Sequence, residues 1–246
     1  MPFRRLLLCL ACLCTHTVSA QFQEDFSDGD FTQDPTWTRE TGEFTVTDDF
    51  QLRLDNDEAG TSELITVSTL ADSAEWEFYV RLAFNPSTNN FVRVYLMADR
   101  ENLDGADTDG YYIRIGDVGT TDAIDLYAQT NGVSERILRT FPGAMANRPE
   151  VRVRVTLERD SVWTIFADTL GGRDFVRGGS VIKLNQDRSE YFGIQCVYTV
   201  SNADDFYFDD FVARPIEVDT TPPALDTVRA VGSRTLRVAF SEPLDP

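Results

Sequence analysis

The chain has 246 residues, with 41 acidic against 22 basic side chains, a formal net charge of −19 and a single histidine. A balance this negative repels phosphate backbones and anionic membrane surfaces, which argues against nucleic acid as a partner. The one histidine, His16, lies in a segment expected to be removed, so the mature chain has no imidazole for a Ser-His-Asp triad, a zinc hydrolase or a histidine base.

That segment opens the chain. Arg4 and Arg5 precede an apolar stretch from Leu6 to Cys14, and Val18-Ser19-Ala20 forms a small-x-small cleavage site before Gln21. Residues 1–20 read as a secretory signal peptide, too short in its apolar part to span a membrane. Removal of Arg4 and Arg5 leaves 20 basic against 41 acidic residues, a charge of −21. The product is expected to be secreted or held at the cell surface, with no integral membrane contact. Cys9, Cys12 and Cys14 leave with the signal, so Cys196 stands alone and is expected to be buried and inert. Without disulfides, packing must hold the domain.

From Glu43 to Ala213 apolar residues recur at every second position in short runs separated by Gly, Asn, Asp and Pro. This is the pattern of antiparallel strands with one buried face. In chain order the runs are Glu63 to Leu70, Trp76 to Phe84, Asn90 to Ala98, Gly110 to Asp117, Ala123 to Gln129, Glu135 to Phe141, Val151 to Leu157, Ser161 to Asp168, Glu190 to Val200 and Asp205 to Arg214. Gly171-Gly172 and Gly178-Gly179 read as hairpin turns. No stretch carries a helical period. So many strands exceed one twisted open sheet, which predicts an all-β fold: a two-sheet antiparallel jelly-roll-like β-sandwich over residues 21–217.

A Pro-rich linker over residues 218–224, with Pro222 and Pro223, marks a domain boundary. Beyond it, Leu225 to Val231 and Arg234 to Phe240 read as two strands. Two strands do not make a core, so residues 225–246 are expected to be the incomplete start of a second β domain belonging to a larger protein.

The segment Asp219-Thr220-Thr221-Pro222-Pro223, followed by Val238-Ala239-Phe240-Ser241-Glu242-Pro243-Leu244-Asp245, resembles the opening of bacterial Ig-like domains. The first domain, with Glu24-Asp25-Phe26-Ser27-Asp28-Gly29-Asp30-Phe31 and Trp37 near its start and Phe206-Tyr207-Phe208-Asp209-Asp210-Phe211 at its end, resembles the concanavalin A-like, or laminin G-like, sandwich of carbohydrate-binding modules and adhesins. That resemblance implies that the first and last strands lie side by side and share a structural calcium. Ser27 stands where the related opening has glutamate, so Asp25 or Asp28 would supply the carboxylate opposite Asp209 or Asp210. Calcium takes six to eight oxygens, which carboxylates and carbonyls of two strands can furnish. The competing reading has Asp209 and Asp210 end an edge strand. A second acidic group, Asp99, Asp104, Asp107 and Asp109, reads first as a solvated loop, since its spacing does not fit an EF-hand.

Sandwiches of this kind also include glycoside hydrolases, which place two carboxylates across a cleft. The hydrolase signature Glu-x-Asp-x-x-Glu is missing, and its nearest approach is Glu75-Trp76-Glu77, alternating as on a solvated strand face. Tyr111, Tyr112, Tyr127 and Tyr198 are aromatics that cannot all be core and could stack on sugar rings. The expectation is therefore a non-catalytic exported binding or adhesion module, with extracellular glycans or cell-surface proteins as partners. The alternatives are a carboxylate-dependent glycoside hydrolase or lyase, and a structural spacer.

Overall fold

A computed structural model of the chain describes residues 20–117, 121–159, 161–184, 188–216 and 223–241. The expected signal peptide except Ala20, and most of the expected linker, lie outside these residues. Two units are present, one ending at Ile216 and the other beginning at Glu217.

The first unit contains strands β1 (Phe22–Glu24), β2 (Thr38–Arg39), β3 (Phe44–Val46), β4 (Leu52–Leu54), β5 (Gly60–Val67), β6 (Ala74–Leu82), β7 (Phe91–Ala98), β8 (Gly110–Ile115), β9 (Ile124–Thr130), β10 (Val133–Thr140), β11 (Glu150–Glu158), β12 (Val162–Asp168), β13 (Val176–Ile182), β14 (Tyr191–Tyr198) and β15 (Phe206–Pro215). Its described helical structure is two single turns of 3-10 helix, Thr41–Glu43 and Val200–Asn202. The second unit contains β16 (Leu225–Gly232) and β17 (Thr235–Phe240), paired antiparallel with Val228 opposite Val238.

Fifteen strands form two antiparallel sheets. One runs β13-β12-β11-β6-β15-β4-β3, with β1 added to the other stretch of β15; the second runs β10-β9-β8-β7-β14-β5-β2. The expected jelly-roll-like sandwich is the fold observed. First and last strands of the unit do lie side by side, with Glu24 opposite Phe211 and Phe22 opposite Ala213.

Period-2 alternation explains the core. Trp76, Phe78 and Val80 of β6 face Val92, Val94, Tyr111 and Ile113 of the other sheet within one buried cluster. Tyr111 stacks on Trp163 at 4.5 Å between centroids, and Phe22, Trp37, Phe192 and Phe211 interlock edge to face at one end. Large rings bury much apolar area per side chain, which is how a domain without disulfides holds itself together. Cys196 is part of this core, free and fully buried, with its thiol pKa pushed up by burial.

Two local readings need correction. Gly178 and Gly179 belong to strand β13 instead of a turn. The register slips between Ile165 and Phe166, so Gly178 is the unpaired bulge residue. A side chain there would meet the Phe141 ring at 2.3 Å, and only glycine fits where the edge strands β10 and β13 of the two sheets meet. Asp209 and Asp210 likewise do not end an edge strand. They sit inside β15, where the register to β6 slips between Asp209 and Val212.

Candidate functional site

The outer face of the seven-stranded sheet is unlike an ordinary solvated face. Two rows of side chains cross it in register. The first runs Glu63, Gln195, Arg93, Arg114, Asp125, Arg139 over β5, β14, β7, β8, β9 and β10. The second runs Ile65, Gly193, Tyr95, Tyr112, Tyr127, Arg136 over the same strands. Adjacent tyrosines thus divide between faces: Tyr111 enters the main core while Tyr112 joins the outer row. The Tyr95 and Tyr112 ring centroids are 4.8 Å apart, and Tyr112 stacks on Tyr127 at 5.1 Å, nearly parallel.

Half of this face is roofed by the loop 99–109. Leu103 packs into a small satellite core with Ile65, Tyr95, Ala98 and Tyr112. It fits because Gly193 offers no side chain; a Cβ there would stand 2.9 Å from Leu103. Gln129 fastens the loop, accepting from Tyr95 Oη at 3.0 Å and donating to the Leu103 carbonyl at 3.0 Å. Within the loop, Asp99 accepts from the Asp109 amide at 2.8 Å, Asp109 accepts from the Asn131 amide, and Arg100 pairs with Asp107. The acidic spacing therefore closes the loop, and Asp104 anchors it to Arg93 at 3.1 Å. At the roofed end Glu63 accepts from Gln195 at 2.6 Å and pairs with Arg39; burial nevertheless pushes its carboxyl above the ordinary range.

The other half is open. Tyr127 is the half-buried ring of its row, beside exposed Arg136. Asp125 is buried, which raises its pKa, and it is held by both forks of Arg139 at 2.9 and 3.0 Å. Arg114 lies with its guanidinium 4.1 Å above the Phe91 ring and donates to the Gly116 carbonyl. An aromatic platform flanked by fork-shaped donors and carboxylate acceptors is the chemistry that holds a sugar: apolar ring faces stack, hydroxyls bond.

The outer face of the other sheet is a network of ion pairs. Glu77 is buried and pairs with Arg154 at 3.0 Å; Glu75 bonds to Arg214; Arg152 and Arg173 share Asp210 at 2.6 and 3.3 Å. Glu77, Arg154, Arg173, Asp210 and Arg214 border a pocket of about 350 Å3. Glu75 and Glu77 thus face arginines and do not oppose each other across a cleft.

The carboxylates expected to hold calcium lie at the bulge inside β15 and in the turns that follow β1, where each has its own local partners. Asp25 accepts from the Ser27 amide and Asp28 from the Asp30 amide, each closing its own turn. Asp210 is given over to the two arginines. Asp209 accepts from the Asp210 amide at 2.7 Å, and burial pushes its pKa up to about 6. Among the described residues no three of His, Cys, Asp or Glu form a group that could hold a metal. The most perturbed carboxylate beside this bulge is one the sequence did not single out as a ligand. Glu24 is buried, accepts from the Phe26 amide at 2.8 Å, and has its pKa raised to about 7 by burial, with Asp28 and Asp25 adding to the shift. The polar row was also missed: the outward parity of Arg93 and Tyr95, or of Tyr112 and Arg114, is legible along each strand, but which residues become cross-strand neighbours depends on the register.

No family model matches the sequence, and no curated protein matches it. Among solved structures the chain is similar to the Ca2+/Man3GlcNAc-bound exoplasmic/lumenal domain of VIP36, with a TM-score of 0.60 at 14% identity over 84% of this chain and 93% of that one. It is also similar to the Emp47p carbohydrate recognition domain, with a TM-score of 0.55 at 14% identity over 80% and 95% of the two chains. A Bacillus licheniformis β-glucanase gives a TM-score of 0.51 at 13% identity over 82% and 100%. These likenesses show the concanavalin A-like sandwich fold, which the chain shares with lectin domains and with a glycoside hydrolase.

Proposed function

We propose that the chain is a non-catalytic, exported glycan-binding module. The observation that carries this reading is the tyrosine row with its flanking polar row on the open half of the seven-stranded sheet. Tyr127 supplies the stacking platform; Arg114, Arg139 and Asp125 supply donors and acceptors around it. The lectin domains that share the fold add support at the level of architecture. Binding rather than turnover is favoured because Glu75 and Glu77 are neutralised by Arg154, Arg152, Arg173 and Arg214, whereas a glycosidase needs one protonated and one free carboxyl flanking the bond.

The test is a glycan array probed with the exported chain, once in millimolar calcium and once in chelator, because the VIP36 domain is described with Ca2+ bound. The reading expects at least one glycan bound in both conditions, and Tyr127→Ala to weaken it about tenfold, roughly 1.4 kcal/mol. Binding to no glycan in either condition overturns it in favour of a spacer.

A further inference from the structure

We infer that the glycan held on this face is an acidic one, a sugar whose carboxylate is gripped by Arg114 beside Arg93 while its ring lies against Tyr127. The inference rests on the glycan-binding reading and adds the chemical class of the ligand.

Arg93 and Arg114 are direct cross-strand partners on β7 and β8, and like charges placed opposite each other destabilise a sheet. Both guanidiniums lie over the same ring, 5.3 and 4.1 Å from the Phe91 centroid. Arg93 is answered by Asp104 at 3.1 Å and Gln195 at 2.8 Å, and its Nε is buried without a hydrogen-bond partner. Arg114 has no such answer. It donates through Nε to the Gly116 carbonyl, and no carboxylate pairs with it among the described residues. Its cross-strand neighbour on the other side, Asp125, is already committed to Arg139 and lies 3.7 Å from Arg136.

A half-buried arginine whose guanidinium lies over an aromatic ring, with its outer fork uncommitted, is preorganised for a planar carboxylate. Two parallel N–H donors match the two oxygens of that group. The acid that would satisfy it must come from outside the sheet. Tyr112, the strand neighbour two residues from Arg114, carries Tyr127 stacked upon it, so the platform and the fork sit on one face within a sugar's reach. The chain's net charge of −19 does not forbid an anionic ligand at this point, since exposed charges beyond a Debye length of about 8 Å are largely screened at physiological salt.

The experiment measures affinity of the whole chain, at 0.15 M salt, for a uronic-acid oligosaccharide, for the same oligosaccharide with its carboxyls reduced to alcohols, and for inorganic sulfate. The uronate is expected to bind at least tenfold more tightly than its reduced form. Arg114→Gln should weaken the uronate far more than the reduced oligosaccharide and so erase that difference, Arg114→Lys should restore part of it, and Tyr127→Ala should weaken both sugars. Circular dichroism melts confirm that each variant is folded. Equal affinity for the acid and its reduced form, an effect of Arg114→Gln on both alike, or sulfate binding as tightly as the uronate each overturns the inference while leaving glycan binding in place. Failure to bind any glycan overturns the underlying reading and the inference with it.

Discussion

At the scale of single residues, the chemistry turns on which carboxylates the fold takes out of water. Glu24 points to the core side because its register partner on β15 is Phe211, a consequence of long-range pairing that no local pattern announces. The short motif around it could be quoted from sequence, but its buried member could not be picked. The folded pKa of about 7 against 4.5 means that the native state binds this proton more tightly than the unfolded chain. The resulting stability is complete below pH 4.5 and is lost as pH rises through 7. Asp209 acts in the same direction between 3.8 and about 6. In chelator, the melting temperature is therefore expected to be higher at pH 5 than at pH 8, and Glu24→Gln to flatten the part of that slope above pH 6. Because general repulsion among acids also grows with pH, the variant isolates the residue. A slope unchanged in Glu24→Gln contradicts the assignment.

At the scale of elements, the long strands were legible because each buries alternate residues against a fixed partner, as Val151, Val153 and Val155 do. The short strands β1 to β4 were not read as strands, since two or three residues carry no period and exist through their pairing, β1 and β4 to β15, β2 to β5 and β3 to β4. β13 escaped for a different reason: it is an exposed edge strand whose glycines mimic a turn, and the cause of those glycines, Phe141, lies on the other sheet. The roofing loop depends on a similar exclusion. Gly193→Ala would push a methyl to 2.8 Å from the Leu64 carbonyl and 2.9 Å from Leu103. It is expected to destabilise the fold by about 1–3 kcal/mol through overpacking, seen as a lower urea midpoint, and an unchanged midpoint would show that the loop yields freely. At the β15 bulge Asp25 and Asp28 each close their own turn and Asp210 pairs with two arginines, which predicts that 5 mM calcium raises the melting temperature by less than about 1 °C, because a ligand stabilises only in proportion to its binding of the native state. A rise of several degrees would show that the acids reorganise around the ion.

At the scale of the whole molecule, two units differ in kind. The first hides dozens of apolar side chains between its sheets, whereas β16 and β17 leave nearly all of theirs exposed. An isolated pair of strands is marginal in water, so amides of residues 225–240 should exchange near the unprotected rate while those of β6, β7 and β14 approach global stability. Comparable protection in both would mean that the hairpin is packed in solution. Fold class was readable from periodicity. The tyrosine and polar rows on the outer face of the seven-stranded sheet were not, because they are assembled from six strands whose neighbours are set by sheet order.

The central claim is that the outer face of the seven-stranded sheet holds a glycan without transforming it. The most direct measurement takes the best array glycan and determines, for the native chain, Tyr127→Ala and Glu75→Gln, both the dissociation constant and the length of the glycan after prolonged incubation. The expected result is an intact glycan throughout, affinity lost about tenfold in Tyr127→Ala and unchanged in Glu75→Gln. A shortened glycan, or affinity that depends on Glu75 and ignores Tyr127, would contradict the claim.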